Sequence, residues 1–318
     1  MNKIVKSAKF VVDNSQHIKI NLEEVNNFCD YFNHNHIKHW FTKSPFNIRK
    51  LNLKDRLHFL IVFNSISFCY WGDPKWKIQY NNEELDGAYG MIGAIGKAIE
   101  NKFPILDAQY LSDISKSNFS KVLKGTIQIP LFKERLNIIR EIGSVLLTKF
   151  DGDFSNLIIK ANNDSQKLLN LIIKNFPSFK DESTFNGKKV YFSKRAQLLV
   201  ADIYQSFDDE QFGRLERIEE LTACADYKLP FVLRRLGIFS YSDHLAKMID
   251  KKIQIMKDSR EEIEIRANTI WAVELIKQKV KKKIAHADSI HVNDHIWMIG
   301  QKKLKNDKPY HLTKTTAY

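Results

Sequence analysis

The 318-residue chain is short of cysteine, of chain-breaking residues and of long apolar runs, and each shortage closes off a class of protein. Its three cysteines, Cys29, Cys69 and Cys224, are odd in number, widely spaced and without a CxxC pair. That pattern does not suit a disulfide framework or a zinc ribbon; it suits a reducing compartment. No apolar stretch approaches the roughly 20 residues that a spanning helix needs. The longest, Leu57 to Tyr70, is interrupted by Asn64, Ser65 and Ser67. The opening Met-Asn-Lys-Ile-Val-Lys has no apolar segment of the signal-peptide kind. A cytoplasmic protein with no membrane partner is the expectation.

Seven prolines and 12 glycines are thinly spread, and no internal repeat, low-complexity segment or Pro/Gly/Ser linker is present. Nor is there a βαβ alternation or a glycine-rich phosphate loop. The length admits one large domain or two modest ones; without a linker, one compact unit over residues 1–318 is expected.

What is plentiful is positive charge, a formal +13 at pH 7. Lysine and arginine in excess suit nucleic acid, whose counterions they displace, or a phosphorylated small molecule. The excess is not gathered in an arm. Its densest run, Lys277 to Lys283, ends a helical pattern, where cations complement the helix dipole.

The dominant periodicity is helical. It predicts helices over Leu22 to Phe32, Leu53 to Tyr70, Glu84 to Lys102, Leu131 to Leu147, Ser165 to Asn175 and Lys194 to Phe207. Gly87, Ala88, Gly90, Gly93, Ala94 and Gly96 crowd one of them. Each glycine costs a helix roughly 1 kcal/mol against alanine, so the cluster points to close packing against another element or a ligand. The clearest helix, Ser259 to Lys282, opens with a capping box of Ser259 and Glu262. Strand signals are short, at Val190 to Phe192 and at Gly125 to Ile129. The fold expected is mostly α, with a few short strands.

Four clusters carry possible chemistry. His34, His36 and His39 are close enough to suggest a metal, but no cysteine or carboxylate pair accompanies them, which favours a surface loop. Phe68-Cys-Tyr-Trp71-Gly-Asp73-Pro-Lys-Trp76 is either a helix end plugging the core or an aromatic wall for a planar base. In Leu221-Thr-Ala-Cys-Ala-Asp226-Tyr, an acidic residue closes an apolar stretch read as helix. Asp226 then either caps the next turn or stands at a pocket edge for acid/base or nucleophilic work. Lys194 and Arg195 follow a strand signal where a helix begins, a place for an anion such as phosphate; Asp202 lies two turns further on.

In order along the chain, these pieces resemble the queuosine salvage protein family. The resemblance runs through Phe68-Cys-Tyr-Trp-Gly-Asp73, Asp86-Gly-Ala-Tyr89, Pro104-Ile-Leu-Asp107, Tyr191-Phe-Ser-Lys-Arg-Ala-Gln197 with Asp202, and Ala225-Asp226-Tyr227. It ends with Glu264-Ile-Arg-Ala, Trp271-Ala-Val-Glu-Leu275, Asp294-His-Ile-Trp297 and Pro309-Tyr-His311. It implies a helical domain similar to helix-hairpin-helix DNA glycosylases, hydrolysing queuosine 5'-phosphate to queuine and ribose 5-phosphate with no cofactor or metal. Under it Asp226 is the catalytic carboxylate. Phe68, Trp71, Asp73, Phe192, Asp202, Trp271, Asp294 and Trp297 hold the base, and Lys194, Arg195, His311 or Lys314 hold the phosphate. The partner is then a free nucleotide and not a stable nucleic-acid complex. A DNA or RNA base glycosylase and a non-catalytic nucleotide-binding scaffold are the alternatives.

Overall fold

The computed structural model describes residues 2–207 and 211–318. Fourteen helices carry the described residues, with three small antiparallel strand pairs between them, so the fold is mostly α as the periodicity predicts. The N-terminal part runs α1 (Lys3–Asp13), β1 (Ile18–Ile20), α2 (Leu22–Tyr31), short 3-10 turns between 34 and 50, and α3 (Leu53–Ser65). A hairpin of β2 (Lys77–Tyr80) and β3 (Glu83–Asp86) then leads into α4 (Gly87–Glu100). Next come α5 (Ala108–Asp113), α6 (Lys116–Val122), α7 (Phe132–Phe150), α8 (Ser155–Ala161) and α9 (Ser165–Asn175). A second hairpin, β4 (Glu182–Phe185) and β5 (Lys188–Tyr191), precedes α10 (Lys194–Phe207). The C-terminal part holds α11 (Lys228–Arg235), β6 (Phe239–Tyr241), α12 (Asp243–Asp250), α13 (Arg260–Lys283) and α14 (Ser289–Ile299).

Helix α13 passes through the middle. Every residue from Glu262 to Ile270 is buried, which an amphipathic surface helix cannot achieve; α1, α2, α11 and α14 pack around it. Five of those nine residues are polar, and each must therefore find a partner. Glu264 accepts the backbone N–H groups of Gln16 and His17, and Asn268 donates to Ser15 Oγ at 2.7 Å. All three bonds fasten the α1–β1 connection. β1 in turn pairs with β6, Ile18 opposite Tyr241, so the two ends of the chain share one core.

At the start of α13 Ser259 Oγ accepts the Glu262 N–H at 3.3 Å, but the Glu262 carboxylate accepts the amide of Asp258, so only half of the predicted capping box forms. Four expectations are corrected. Helix α3 stops at Ser65, five residues before Tyr70, because Arg135 and Arg195 take the carbonyls of Ser65, Ile66, Phe68 and Cys69 out of the helical pattern. Glu84 to Asp86 is strand, since Asn81 and Asn82 at φ 51° and 64° make a tight two-residue hairpin before α4. Gly125 to Ile129 forms no strand, and Leu221 to Asp226 is extended, not helical.

Gly90, Gly93 and Gly96 of α4 do pack closely against protein, whereas a Cβ on Gly87 would meet nothing within 4 Å. A Cβ built on Gly93 would lie 3.0 Å from Ile78 Cδ1 of the hairpin. The tightest approach is at Gly143 of α7, where a Cβ would lie 2.6 Å from the Ala108 carbonyl oxygen and nearer still to the Ser112 amide nitrogen of α5. Those atoms are backbone and cannot step aside. Gly143→Ala should therefore lower unfolding stability by about 1–3 kcal/mol, the overpacking cost exceeding the helix-propensity gain of about 1 kcal/mol. Denaturant melts of the two proteins measure it; a more stable alanine variant would show that α5 and α7 separate freely.

Candidate active site

One cleft of about 880 Å³, including its open mouth, draws on both halves of the chain. Its wall near α11 is the extended segment 221–226, which belongs to no sheet. Its backbone is held by side chains from three buried helices. Gln197 Oε1 accepts the Thr222 N–H at 2.8 Å, Asn293 Oδ1 accepts the Cys224 N–H at 2.9 Å, and Arg266 Nε donates to the Ala225 carbonyl at 3.4 Å. Asp226 closes the segment and caps α11, its Oδ1 accepting the amides of Lys228 (2.7 Å) and Leu229 (3.1 Å). Among the described residues, its Oδ2 accepts no hydrogen bond.

Lys194, also buried, lines the same cavity from the first turn of α10. Burial pushes the Asp226 carboxyl above the usual aspartate range, while Lys194, the two capping amides and Lys228 pull it back. A carboxylate with one uncommitted oxygen beside a buried ammonium can stabilise a developing cation, activate water, or attack an electrophilic carbon.

The inner wall is aromatic. Trp297 meets Trp40 at 5.1 Å and Tyr89 at 5.5 Å between ring centres. Among the described residues, the buried Tyr89 hydroxyl has no hydrogen-bond partner. Asp294 joins this wall; its carboxylate accepts from the Trp40 amide and Gln205 at 3.3 Å each, and from Asn293 at 3.1 Å. At the mouth stand Lys75, paired with Asp86 at 2.8 Å, and Lys228, which donates to the Gly300 carbonyl.

A family model described as queuosine salvage protein matches residues 47–318. The protein of Sphaerobacter thermophilus named queuosine 5'-phosphate N-glycosylase/hydrolase is 38% identical over 261 residues, which is 82% of this chain and 81% of its own. Bearing the same name, that of Mus musculus is 30% identical with 98% of each chain covered, and that of Dictyostelium discoideum 30% with 96% and 95% covered. The chain belongs to the queuosine salvage protein family.

For this queuosine salvage family member, the structure gathers five of the residues singled out in the sequence around one cavity: Asp226, Lys194, Phe68, Asp294 and Trp297. It places the other eight elsewhere. Asp202 is wholly buried behind Trp40, accepting its indole N–H at 2.9 Å and Asn64 at 2.8 Å, so it fixes a wall residue instead of facing the cavity. Arg195 is turned inward to the carbonyls of Ser65 and Ser178. Phe192 is core, with the Arg266 guanidinium 3.9 Å from its ring centre. Trp71 donates to the Thr313 carbonyl, Asp73 is exposed before Pro74, and Trp271 lies under Lys9 of α1. His311 is buried against the Tyr318 hydroxyl, and burial followed by Arg266 drives its pKa down to about 3, so it carries no charge for a phosphate. Lys314 is exposed and outside the lining.

Phe68 itself offers little free face, with the Arg135 and Arg195 guanidinium carbons 4.2 and 5.2 Å from its ring centre. Trp40, Tyr227, Lys228 and Asn293 line the cavity without having been singled out as ligands. Trp40 belongs to the histidine-rich stretch, where the imidazoles drew the attention and the indole did the lining. Among the described residues no cluster of metal-ligating side chains forms there.

Burial, opposed by His39 and the Asn293 amide, raises the pKa of Asp294 to about 6. The folded protein therefore holds a proton that the unfolded chain releases from about pH 4 upward, and stability falls as pH rises through pH 4 to 6 before levelling off. Asp294→Asn should remove this dependence. Its advantage over the parent should be near zero at pH 4 and grow to at most about 3 kcal/mol above pH 7. Paired denaturant titrations across that range check it; a constant difference would show that Asp294 is already ionised at pH 4.

Proposed function

We propose that the chain hydrolyses the N-glycosidic bond of queuosine 5'-phosphate, consuming one water and releasing queuine and ribose 5-phosphate for salvage of the base into tRNA. The observation that carries this is Asp226 with its uncommitted Oδ2 beside Lys194 in an aromatic-walled cavity, in a chain whose relatives bear that activity in their names. Queuine is a 7-deazaguanine, and without a ring N7 to protonate its departure leans more on stabilisation of the sugar. A carboxylate beside C1' supplies that stabilisation to an oxocarbenium-like transition state.

The rest of the lining suits the same substrate. Trp40, Tyr89 and Trp297 offer ring surface to a planar base, and the Asp294 carboxylate suits its N–H donors. Lys75 and Lys228 at the mouth suit a 5'-phosphate, replacing the expected roles of Arg195 and His311. One hydrolase unit over residues 1–318 acts on a free nucleotide, because the catalytic carboxylate lies in a recess and not along an open groove. The three cysteines are unpaired, which supports work in the cytoplasm.

The test is release of queuine, read by mass, when the purified chain meets queuosine 5'-phosphate. Asp226→Asn is a fair comparison because the amide oxygen can still accept the two capping N–H groups. We expect release by the parent chain and a loss of at least about a hundredfold in the variant, as removal of transition-state charge stabilisation produces. No release by the folded parent, or full turnover by the variant, would overturn the reading.

A further inference from the structure

The proposed reaction uses Asp226 and Lys194, yet neither residue sits on a rigid sheet, and something must fix their separation. Arg266, at the buried centre of α13, is linked to both, to Lys194 through Asp181 and to Asp226 through the carbonyl of its neighbour Ala225. Its guanidinium makes a two-pronged ion pair with Asp181, Nη1 to Oδ1 at 2.8 Å and Nη2 to Oδ2 at 2.6 Å. Asp181 Oδ2 also accepts the N–H of Lys194 at 3.0 Å, and the Asp181 carbonyl accepts those of Phe192 and Ser193. On its third edge Arg266 Nε donates to the carbonyl of Ala225, the residue before Asp226. The flat faces are occupied too, with Phe192 at 3.9 Å and the cavity residue Tyr318 at 4.6 Å from the guanidinium carbon. Glu262, one turn earlier on α13, lies 3.7 Å from Nη1.

We propose that Arg266, through Asp181, is a positioning residue that sets the distance between Lys194 and the carboxylate of Asp226. Resting on the proposed hydrolysis, the role needs all three properties of the side chain. Its charge holds Asp181, its fork reaches two segments at once, and its planarity is clamped between two rings. A lysine would retain the charge and lose the reach to the Ala225 carbonyl. Mere structural glue makes a different demand, because a buried ion pair can be exchanged for apolar side chains of similar volume with little loss of folding.

Two variants of the full chain separate the possibilities, each assayed for queuosine 5'-phosphate turnover well below its own melting midpoint. In Arg266→Lys the Asp181 contact survives. In Asp181→Leu with Arg266→Met both charges go together, so no lone charge is left buried. For whichever variant folds, we expect kcat to fall by about 10–100-fold, the scale of a misplaced reacting group, with KM within about twofold of the parent. A folded variant with parental kcat, or with its loss confined to KM, would overturn the proposal. So would the failure of both variants to fold, which would assign the pair to stability alone. Absence of turnover in the parent chain would instead overturn the hydrolase reading, and the two failures are distinguishable.

Discussion

Everything around the cavity depends on one backbone problem, the extended run from Leu221 to Asp226 that lies buried without a partner strand. A buried peptide group left unsatisfied costs about as much as a lost hydrogen bond, so a segment of this kind survives only if side chains stand in for a sheet. Gln197, Asn293 and Arg266 do so, each from a different helix and each buried. The residues that permit the segment to exist thereby fix where Asp226 lies. The architecture of α10, α13 and α14 follows from this, since each helix must bury a polar side chain at one particular turn. Gln197 makes the coupling visible, its amide nitrogen donating to the Phe192 carbonyl at 3.0 Å while its oxygen holds Thr222.

The buried carboxylates around this segment show how differently one residue type can be treated. Asp181 is held below the ordinary range despite burial, because the Arg266 guanidinium pairs with it and the Lys194 amide bonds to it. Asp294, with only weak and neutral donors nearby, is raised to about 6. Asp226 is raised as well, pushed up by burial and restrained by Lys194 and the amides of a helix N-terminus. Groups whose environments drive their pKa values apart are how a protein provides an ion at one place and a proton at another. Here the full guanidinium fork goes to Asp181, which has a structural task, and the cavity carboxylates are left adjustable.

Much of the fold could be read from the sequence wherever the signal was local. Ser165–Asn175 and Lys194–Phe207 are helices to the residue, because their periodicity, and for the first its Asp164 cap, lies within a dozen or so positions. The β4–β5 hairpin was only half seen, although its Asn186–Gly187 turn, with φ of 46° and 75°, is the pair that such a turn favours. Leu221 to Asp226 misled because its run of apolar and small residues reads equally as helix or buried strand, and the partners that decide are at positions 197, 266 and 293. The same reason separates the site residues. Asp226 stands out in the sequence as an acid closing an apolar stretch and Lys194 as a cation where a strand signal meets a helix, whereas Asp294 enters only through the family resemblance. Asp202 and Arg195 are charged neighbours on the same helix and Phe192 an aromatic just before it, and only tertiary contacts show that Asp202 fixes the wall while the other two belong to the core.

Trp40 carries that point furthest. It lies outside residues 47–318 that match the family model, in a stretch of 3-10 turns with no periodicity of its own. Its position is dictated from the helical body, by Asp202 at its indole and Asp294 at its amide. Both acceptors are buried acids to which Trp40 adds a donor beside those of Asn64, Gln205 and Asn293, and so the arm and the body satisfy each other's polar groups. A wall built by such mutual satisfaction is defined to within a hydrogen-bond length even though its backbone is irregular. The aromatic wall of the cavity therefore joins Trp40 from the loop to Tyr89 of α4 and Trp297 of α14, with loop and helices holding each other in register.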